Sequence, residues 1–345
     1  MAILFGILYL MVALWACLAL WVHLPLGNAT YLIIFFTFIL AILSIHQIKS
    51  IYQLSWITPT NIRILFWLMI AMVFVWFMMM TPSNNRAWQD EFRHQFTHHK
   101  QGDMISIHHV RNFHWHDDGY TEQWETRNYD MRQLKYLDMI STTWGSDDIA
   151  HIMLSFGFEN DNGNIDRLVL SVEARKETHE DFSTIGGFFR LYDLSIIAGD
   201  EMDLIYTRTN IRNEQVSIYP INYPQDKIKQ LFLTYLNYGQ TLYDTPKFYH
   251  SLISNCTTVI YDMIKGFDKI PMDYRIVVSG RLSSYLYEHG AIDNTHPLDV
   301  WRTHAHANPK VAHLGKNSHV SSSEFSQLIR QGLPTSNKPD VGATF

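Results

Sequence analysis

IAHIMLSFGF at 149–158 and IDRLVLSVEAR at 165–175 decide the fold. Both are rich in β-branched and aromatic residues, and Asn160-Asp161-Asn162-Gly163-Asn164 between them is a strong turn signal, so the pair reads as an antiparallel hairpin. Upstream, Ile105, Ile107, His109, Arg111, Phe113 and Trp115 alternate with Met104, Ser106, His108, Val110, Asn112 and His114, a period of two that predicts a strand over 103–116. The turn Asp117-Asp118-Gly119 follows it. Downstream, 202–209 (MDLIYTRT) and 215–219 (QVSIY) read as further strands. The period changes after Pro224. In 225–240, Ile228, Leu231, Phe232, Tyr235 and Leu236 share one helical face, and in 251–265 Cys256, Val259, Ile260 and Met263 do the same. Gly266 is a natural stop for the second helix, with Ser254 or Asn255 as its cap. Strands followed by helices predict an α+β domain.

The amino-terminal part is of another kind. Of 27 basic and 33 acidic residues in the 345, only Lys49 and Arg63 fall before position 86. Three apolar runs, about 3–22, 31–48 and 64–80, are long enough to cross a bilayer core of roughly 30 Å. They predict an anchor of three transmembrane helices over 1–85, a polar domain over 86–331 and a loose polar tail at 332–345. The first run lacks a basic n-region and a small-residue cleavage site, so it reads as a retained span, with Cys17 a small apolar residue within it. Lys49 and Arg63 bracket the middle loop, which argues for that loop in the cytoplasm and the large domain outside. Arg86, Arg93 and Lys100, close after the third span, argue for the reverse, but weigh less because large domains translocate largely regardless of charge. Residues 86–100 (RAWQDEFRHQFTHHK) read as an amphipathic juxtamembrane helix with Trp88 at the interface. A formal net charge of −6 gives no electrostatic case for nucleic-acid binding.

Cysteine in the first turn of a helix sits where the dipole and free N–H groups favour thiolate over thiol. Cys256 is so placed. His151, on the strand 149–158, is a candidate base, and Glu173, across the hairpin, is where an acceptor for the second ring nitrogen belongs. Other side chains carry less. Seven histidines fall in 94–116, and the His94 and His98 spacing suits zinc on a helix, but no glutamate completes the zincin pattern and a solvated reading is preferred, so no metal is expected. Arg175 with Lys176, or Arg208 with Arg212, are candidate headgroup-binding cations, although a solvated strand end accounts for the first pair as well. Two cysteines, Cys17 and Cys256, make neither a disulfide framework nor a four-thiolate metal site.

Three blocks are more specific in combination: Ala150-His151-Ile152-Met153-Leu154-Ser155-Phe156-Gly157-Phe158, Ser171-Val172-Glu173-Ala174-Arg175-Lys176-Glu177, and Tyr249-His250-Ser251-Leu252-Ile253-Ser254-Asn255-Cys256-Thr257-Thr258. With the linking segment 201–214, they resemble the signature blocks of the bacterial Lnb periplasmic-domain family, over about 110–300. That family in turn resembles circularly permuted papain-like proteins of the NlpC and lecithin:retinol acyltransferase type, in which the histidine strand precedes the cysteine helix. The resemblance implies Cys256 as nucleophile, His151 as general base and Glu173 as the third member, with Asn255, Arg175 and Tyr249 supporting the site or binding substrate. Some Lnb relatives are implicated in N-acylation of bacterial lipoproteins.

The expectation is therefore a bacterial inner-membrane, multi-pass protein whose periplasmic, permuted papain-like domain moves an acyl chain from a phospholipid, through a thioester on Cys256, to an amine such as a lipoprotein terminus. No cofactor is expected. A cysteine amidase or endopeptidase acting on cell-wall peptide, and a non-catalytic envelope scaffold, stay open. A transferase needs an apolar groove, which Trp144, Phe156, Phe158, Phe188, Phe189 and Tyr249 favour, whereas a peptidase needs a polar, extended cleft.

Overall fold

A computed structural model describes residues 2–45 and 58–334. The expected end of the second span at Gln47 and Ile48, the charge of Lys49 and the tail from 335 onward lie outside the described residues. The chain divides into two compact units, 1–83 with 182–191, and 84–181 with 192–345.

The first unit is built on α1 (Ala2–His23), α2 (Thr30–Ile45) and α3 (Pro59–Met78). Stretches Ile3–His23, Gly27–Ile45 and Pro59–Met78 are long and apolar enough to cross a membrane. Small residues set their packing: Ala13, Ala16 and Ala41 are fully buried against Phe66, so the helices approach closely while large apolar side chains face outward. Thr58 Oγ1 accepts from Asn61 N at 3.2 Å and Pro59 opens α3, the usual chemistry of a helix start. The segment 182–191, which contains the short helix α4 (Thr184–Phe188), belongs to this unit although it joins two strands of the other.

The second unit is α+β around an eight-stranded, mainly antiparallel sheet. Its strands are β1 (Thr97–Gln101), β2 (Met104–Arg111), β5 (Trp124–Asp130), β6 (Leu134–Thr143), β7 (Ala150–Glu159), β8 (Ile165–Arg175), β9 (Asp193–Gly199) and β10 (Gln215–Pro220), while β3 (His114–His116) and β4 (Gly119–Thr121) form a separate hairpin. The order is β1-β2-β9-β8-β7-β6-β10, with β5 also on β2. The β7–β8 hairpin forms where its turn residues predict it, with Asn160 Oδ1 accepting from the backbone of Asn162 and Asn164. Successive side chains of β7 point to opposite faces. Ile152 and Leu154 face α6 (Gln225–Asp244) and α7 (Cys256–Lys265), and Phe156 packs 5.0 Å from Phe232 of α6. On the other face Met153, Val169, Ile197 and Ile140 pack with Leu204 and Ile205 of α5 (Glu201–Tyr206) and with residues of the carboxy-terminal helices. Those that do so are α10 (Asn308–Val311) and α11 (Ser322–Arg330), which follow α8 (Leu282–Glu288) and α9 (Leu298–Ala305).

Three expectations are corrected. Residues 86–100 do not form an interfacial helix: Trp88 is buried and bridges Glu177, Gln89 N donates to Lys176 O, and 97–101 are strand β1. The polar side chains that suggested amphipathicity pair along a sheet edge instead. The segment 202–209 is helical rather than extended, because Asp200 caps Met202 N at 2.8 Å and Leu204 and Ile205 together reach the core. Asp203 there accepts from Arg111, Phe113 N and Trp115 Nε1, which ties the helix to the β2–β3 corner. The strand over 103–116 is broken by a bulge at His109, whose φ of 61° turns the chain.

Candidate active site

Asn255 shapes the site from the cysteine side. Its Oδ1 accepts from Thr257 N at 3.1 Å and Thr258 N at 3.0 Å, and Thr258 Oγ1 takes the Asn255 N–H at 2.9 Å, a reciprocal cap. Cys256 is thereby the first helical residue of α7, half-buried, and its own N–H has no protein acceptor among the described residues. Its Sγ lies 4.0 Å from Ala150 O, at the start of β7. Ser279 holds that strand end by both backbone groups: Ala150 N donates to its Oγ at 2.9 Å, and its Oγ donates to Ala150 O at 2.6 Å. Gly280 permits this approach, since a Cβ there would meet Asp147 O at 1.9 Å.

His151 follows. Its Nε2 is 2.8 Å from Ser171 Oγ and 3.1 Å from Glu173 Oε1, and Ser171 Oγ is 2.6 Å from the same carboxylate oxygen. A serine has one proton to give. Ser171 donates it to Glu173 and therefore accepts from His151 Nε2–H, which leaves Nδ1 as the acceptor side of the ring. Cys256 is close enough to influence the charge of the imidazole. Burial opposes charge on His151, but Glu173 and the cysteine outweigh it and raise its pKa to about 9. Burial likewise opposes charge on Glu173, and His151, Arg208 and Ser171 overcome it, holding the carboxyl well below the usual range.

Arg208 is not a free headgroup-binding cation. A single π-helical turn, Thr207–Ile211, follows α5 and carries it inward, where Nη2 donates to Glu173 Oε1 at 3.0 Å and Nη1 to Leu204 O at 2.7 Å. Arg212 is paired with Glu91 at 2.6 Å. Arg175 also lies elsewhere than expected: Nε donates to Phe92 O, Nη1 to Asn84 Oδ1 and Nη2 to Arg93 O, with the guanidinium 4.3 Å over the Trp88 ring. All three nitrogens hold the 84–93 segment against β8. Tyr249 is buried beside Tyr192, and its hydroxyl pKa is pushed up by burial and by the charges of Cys256 and Glu173. His98 lies on β1, His94 stacks on His109 at 4.7 Å, and the described residues contain no group of three His, Cys, Asp or Glu side chains placed to hold a metal ion.

Ser171, Arg208 and Ser279 are the supporting residues that the sequence did not single out for these roles. Tyr235 is another. Its fully buried hydroxyl has no partner among the described residues, and burial and Cys256 push its pKa upward.

A cavity of about 710 Å³, open space at its mouth included, runs beside α7. Thr257, Ile260 and Ile264 of α7, Ile152 and Leu154 of β7 and Leu231 of α6 are among its walls, which expose only apolar surface. Thr257 and Ile152 among its walls are the sequence neighbours of Cys256 and His151, but Ile152 points to the opposite face of β7 from His151. Phe156 and Phe158, expected along such a groove, are buried in the core with Phe232, and the walls are mainly aliphatic. Leu252 and Ile253, just before Cys256, are solvent-exposed, Ile253 at 68%.

The model of the Lnb N-terminal periplasmic domain matches residues 120–306, more than half of the chain. The chain belongs to the Lnb family. The match includes β7, β8, the π-turn and α7, so every element that supplies Cys256, His151, Glu173 and Arg208 lies within the Lnb domain. With three apolar spans ahead of that domain, this is a membrane protein with a periplasmic domain. No curated protein and no solved structure matches the chain.

Proposed function

We propose that the Lnb domain is a cysteine acyltransferase of permuted papain-like architecture, carried by an inner-membrane, multi-pass anchor and drawing acyl chains from phospholipid. The observation that carries this reading is the grouping of Cys256, at the start of α7, with His151 and Glu173, while an apolar cavity runs along the same helix. A cell-wall peptide has nothing to gain from such walls, whereas a hydrocarbon chain gains about 0.8 kcal/mol for each buried CH₂. Exposed Leu252 and Ile253 offer a second apolar surface at the cysteine.

The thiolate of Cys256, paired with the His151 imidazolium, attacks the ester carbonyl. As the S–C bond forms, the carbonyl oxygen takes negative charge, which the unengaged Cys256 N–H and the start of α7 stabilise. The C–O bond then breaks, and the lysophospholipid alkoxide leaves with the proton of His151. Neutral His151 next takes a proton from the incoming amine as nitrogen attacks the thioester, the C–S bond breaks, and an amide departs. Glu173, fixed by Arg208 and Ser171, keeps the ring oriented and its charge compensated through both halves.

Purified protein in detergent with phospholipid should gain a fatty-acyl mass on Cys256 that neutral hydroxylamine removes. Cys256→Ala should abolish it, and His151→Ala should slow it by about 10²–10⁴-fold. No adduct with any common phospholipid, together with release of fragments from cell-wall peptide, would replace transfer by hydrolysis. Neither activity would leave a scaffold.

A further inference from the structure

The connection between β8 and β9 contains a segment, 182–191, that is built into the transmembrane unit. Phe189 packs with Ala19 of α1 and Phe77 of α3, with the Phe189 and Phe77 rings edge-on at 6.4 Å. His23 Nε2, at the end of α1, is 2.6 Å from Phe189 O. Arg190 Nη1 donates to Phe77 O at 3.1 Å, near the end of α3, and its guanidinium lies 4.7 Å over the Phe77 ring. Arg190 has a φ of 58°, a left-handed conformation that a non-glycine residue keeps only where its surroundings over-determine it. The segment is thus clamped to the ends of two spans.

The segment also carries apolar side chains that are partly exposed. Ile185 and Phe188 lie about one turn apart on α4 and Phe182 just precedes it; Phe182, Ile185 and Phe188 are 44%, 44% and 43% exposed. At the end of α3, Met78 and Met79 are exposed as well, Met79 at 74%. The ends of spanning helices lie at the boundary between hydrocarbon and headgroups, and a helix clamped there with an apolar face outward sits in that boundary.

We infer that residues 182–191 are a membrane-embedded lip of the periplasmic domain, whose Phe182, Ile185 and Phe188 are covered by lipid of the adjoining leaflet. Arg190 then faces the headgroup region, where its charge is tolerated. The inference stands whether or not the domain is catalytic.

The test uses the full chain with Cys17→Ser and Cys256→Ser, reconstituted in nanodiscs of phosphatidylethanolamine and phosphatidylglycerol. The dye NBD is attached at Ile185→Cys or Phe182→Cys, with Asp161→Cys on the exposed β7–β8 turn as the aqueous reference. The 182 and 185 labels should emit at shorter wavelength than the 161 label. Lipids spin-labelled near the carbonyl should quench them several-fold more than aqueous iodide does, and the 161 label should behave in the opposite way. Iodide quenching at 182 and 185 equal to that at 161 would overturn the inference. Shielding from both quenchers would overturn it too, because protein rather than lipid would then cover the face.

Discussion

At the scale of single residues, the oxygen Oε1 of Glu173 does most of the organising. It takes Ser171 Oγ–H, faces His151 Nε2 and receives Arg208 Nη2, all within 3.1 Å. Because Arg208 shares this oxygen, the carboxylate stays ionised even beside a ring that alternates between charged and neutral. Acylation should lose rate as pH rises through about 9, where the imidazolium proton needed by the leaving group is lost. Glu173→Gln removes the largest influence raising that pKa and leaves burial, which lowers it, so the alkaline limb should move to lower pH. Ser171→Ala keeps the carboxylate and should move it less. A pH–rate profile of adduct formation measures both, and an unmoved limb in Glu173→Gln would separate the limb from His151. Stability follows the same signs. The folded chain binds the His151 proton more tightly than the unfolded chain, so this contribution is complete below about pH 6.5 and fades as pH rises towards 9. Glu173, depressed, contributes above about pH 4.3 and loses its contribution as pH falls through its folded value.

Among the elements, α7 depends most on one side chain. Asn255 Oδ1 satisfies two of its first N–H groups in a buried setting, so Asn255→Ala should cost about 1–2 kcal/mol of stability. Thermal unfolding in detergent would show it, and equal melting of Asn255→Ala and the parent would refute the cap's importance. The cap, the helix and the β7–β8 hairpin were legible because each signal is local: Asn160 to Asn164 fold their own turn, and Asn255 caps its own helix. The membership of Cys256, His151 and Glu173 in one cluster follows once hairpin register brings two strands beside a helix start. What escaped is non-local. Nothing local marks Ser279 as the clamp on Ala150, 129 positions earlier. Met202 to Thr209 reads as a strand, and the Asp200 cap together with the core contacts of Leu204 and Ile205 makes most of it helical. Arg175 sits in a motif that suggested substrate, yet its partners come from 84–93, which periodicity assigned to a surface helix. Strands β6 and β9 lie within the sheet, and their pairing supplies what their sequence does not announce.

The polar domain as a whole is closed by a buried ion cluster between the sheet and the last described helix. Arg330 of α11 donates to Asp138 at 2.8 Å and 2.9 Å and to Glu201 at 2.8 Å and 2.5 Å, Arg167 also bonds Asp138, and Ser155 bonds Glu201 at 2.6 Å. Two cations thus balance two anions out of water. Arg330→Ala leaves Glu201 without its cation and Asp138 with only one, and should destabilise the domain by about 3–5 kcal/mol, read as a lower melting temperature and faster proteolysis. An Arg330→Ala protein as resistant as the parent would show that the cluster is dispensable. The arrangement also sets a timetable for biosynthesis. Asp138 is made 192 residues ahead of Arg330, and Arg167 is synthesised between them. Until Arg330 arrives, the two carboxylates of the cluster have one guanidinium between them, so the cluster is completed only when the last described helix has been made.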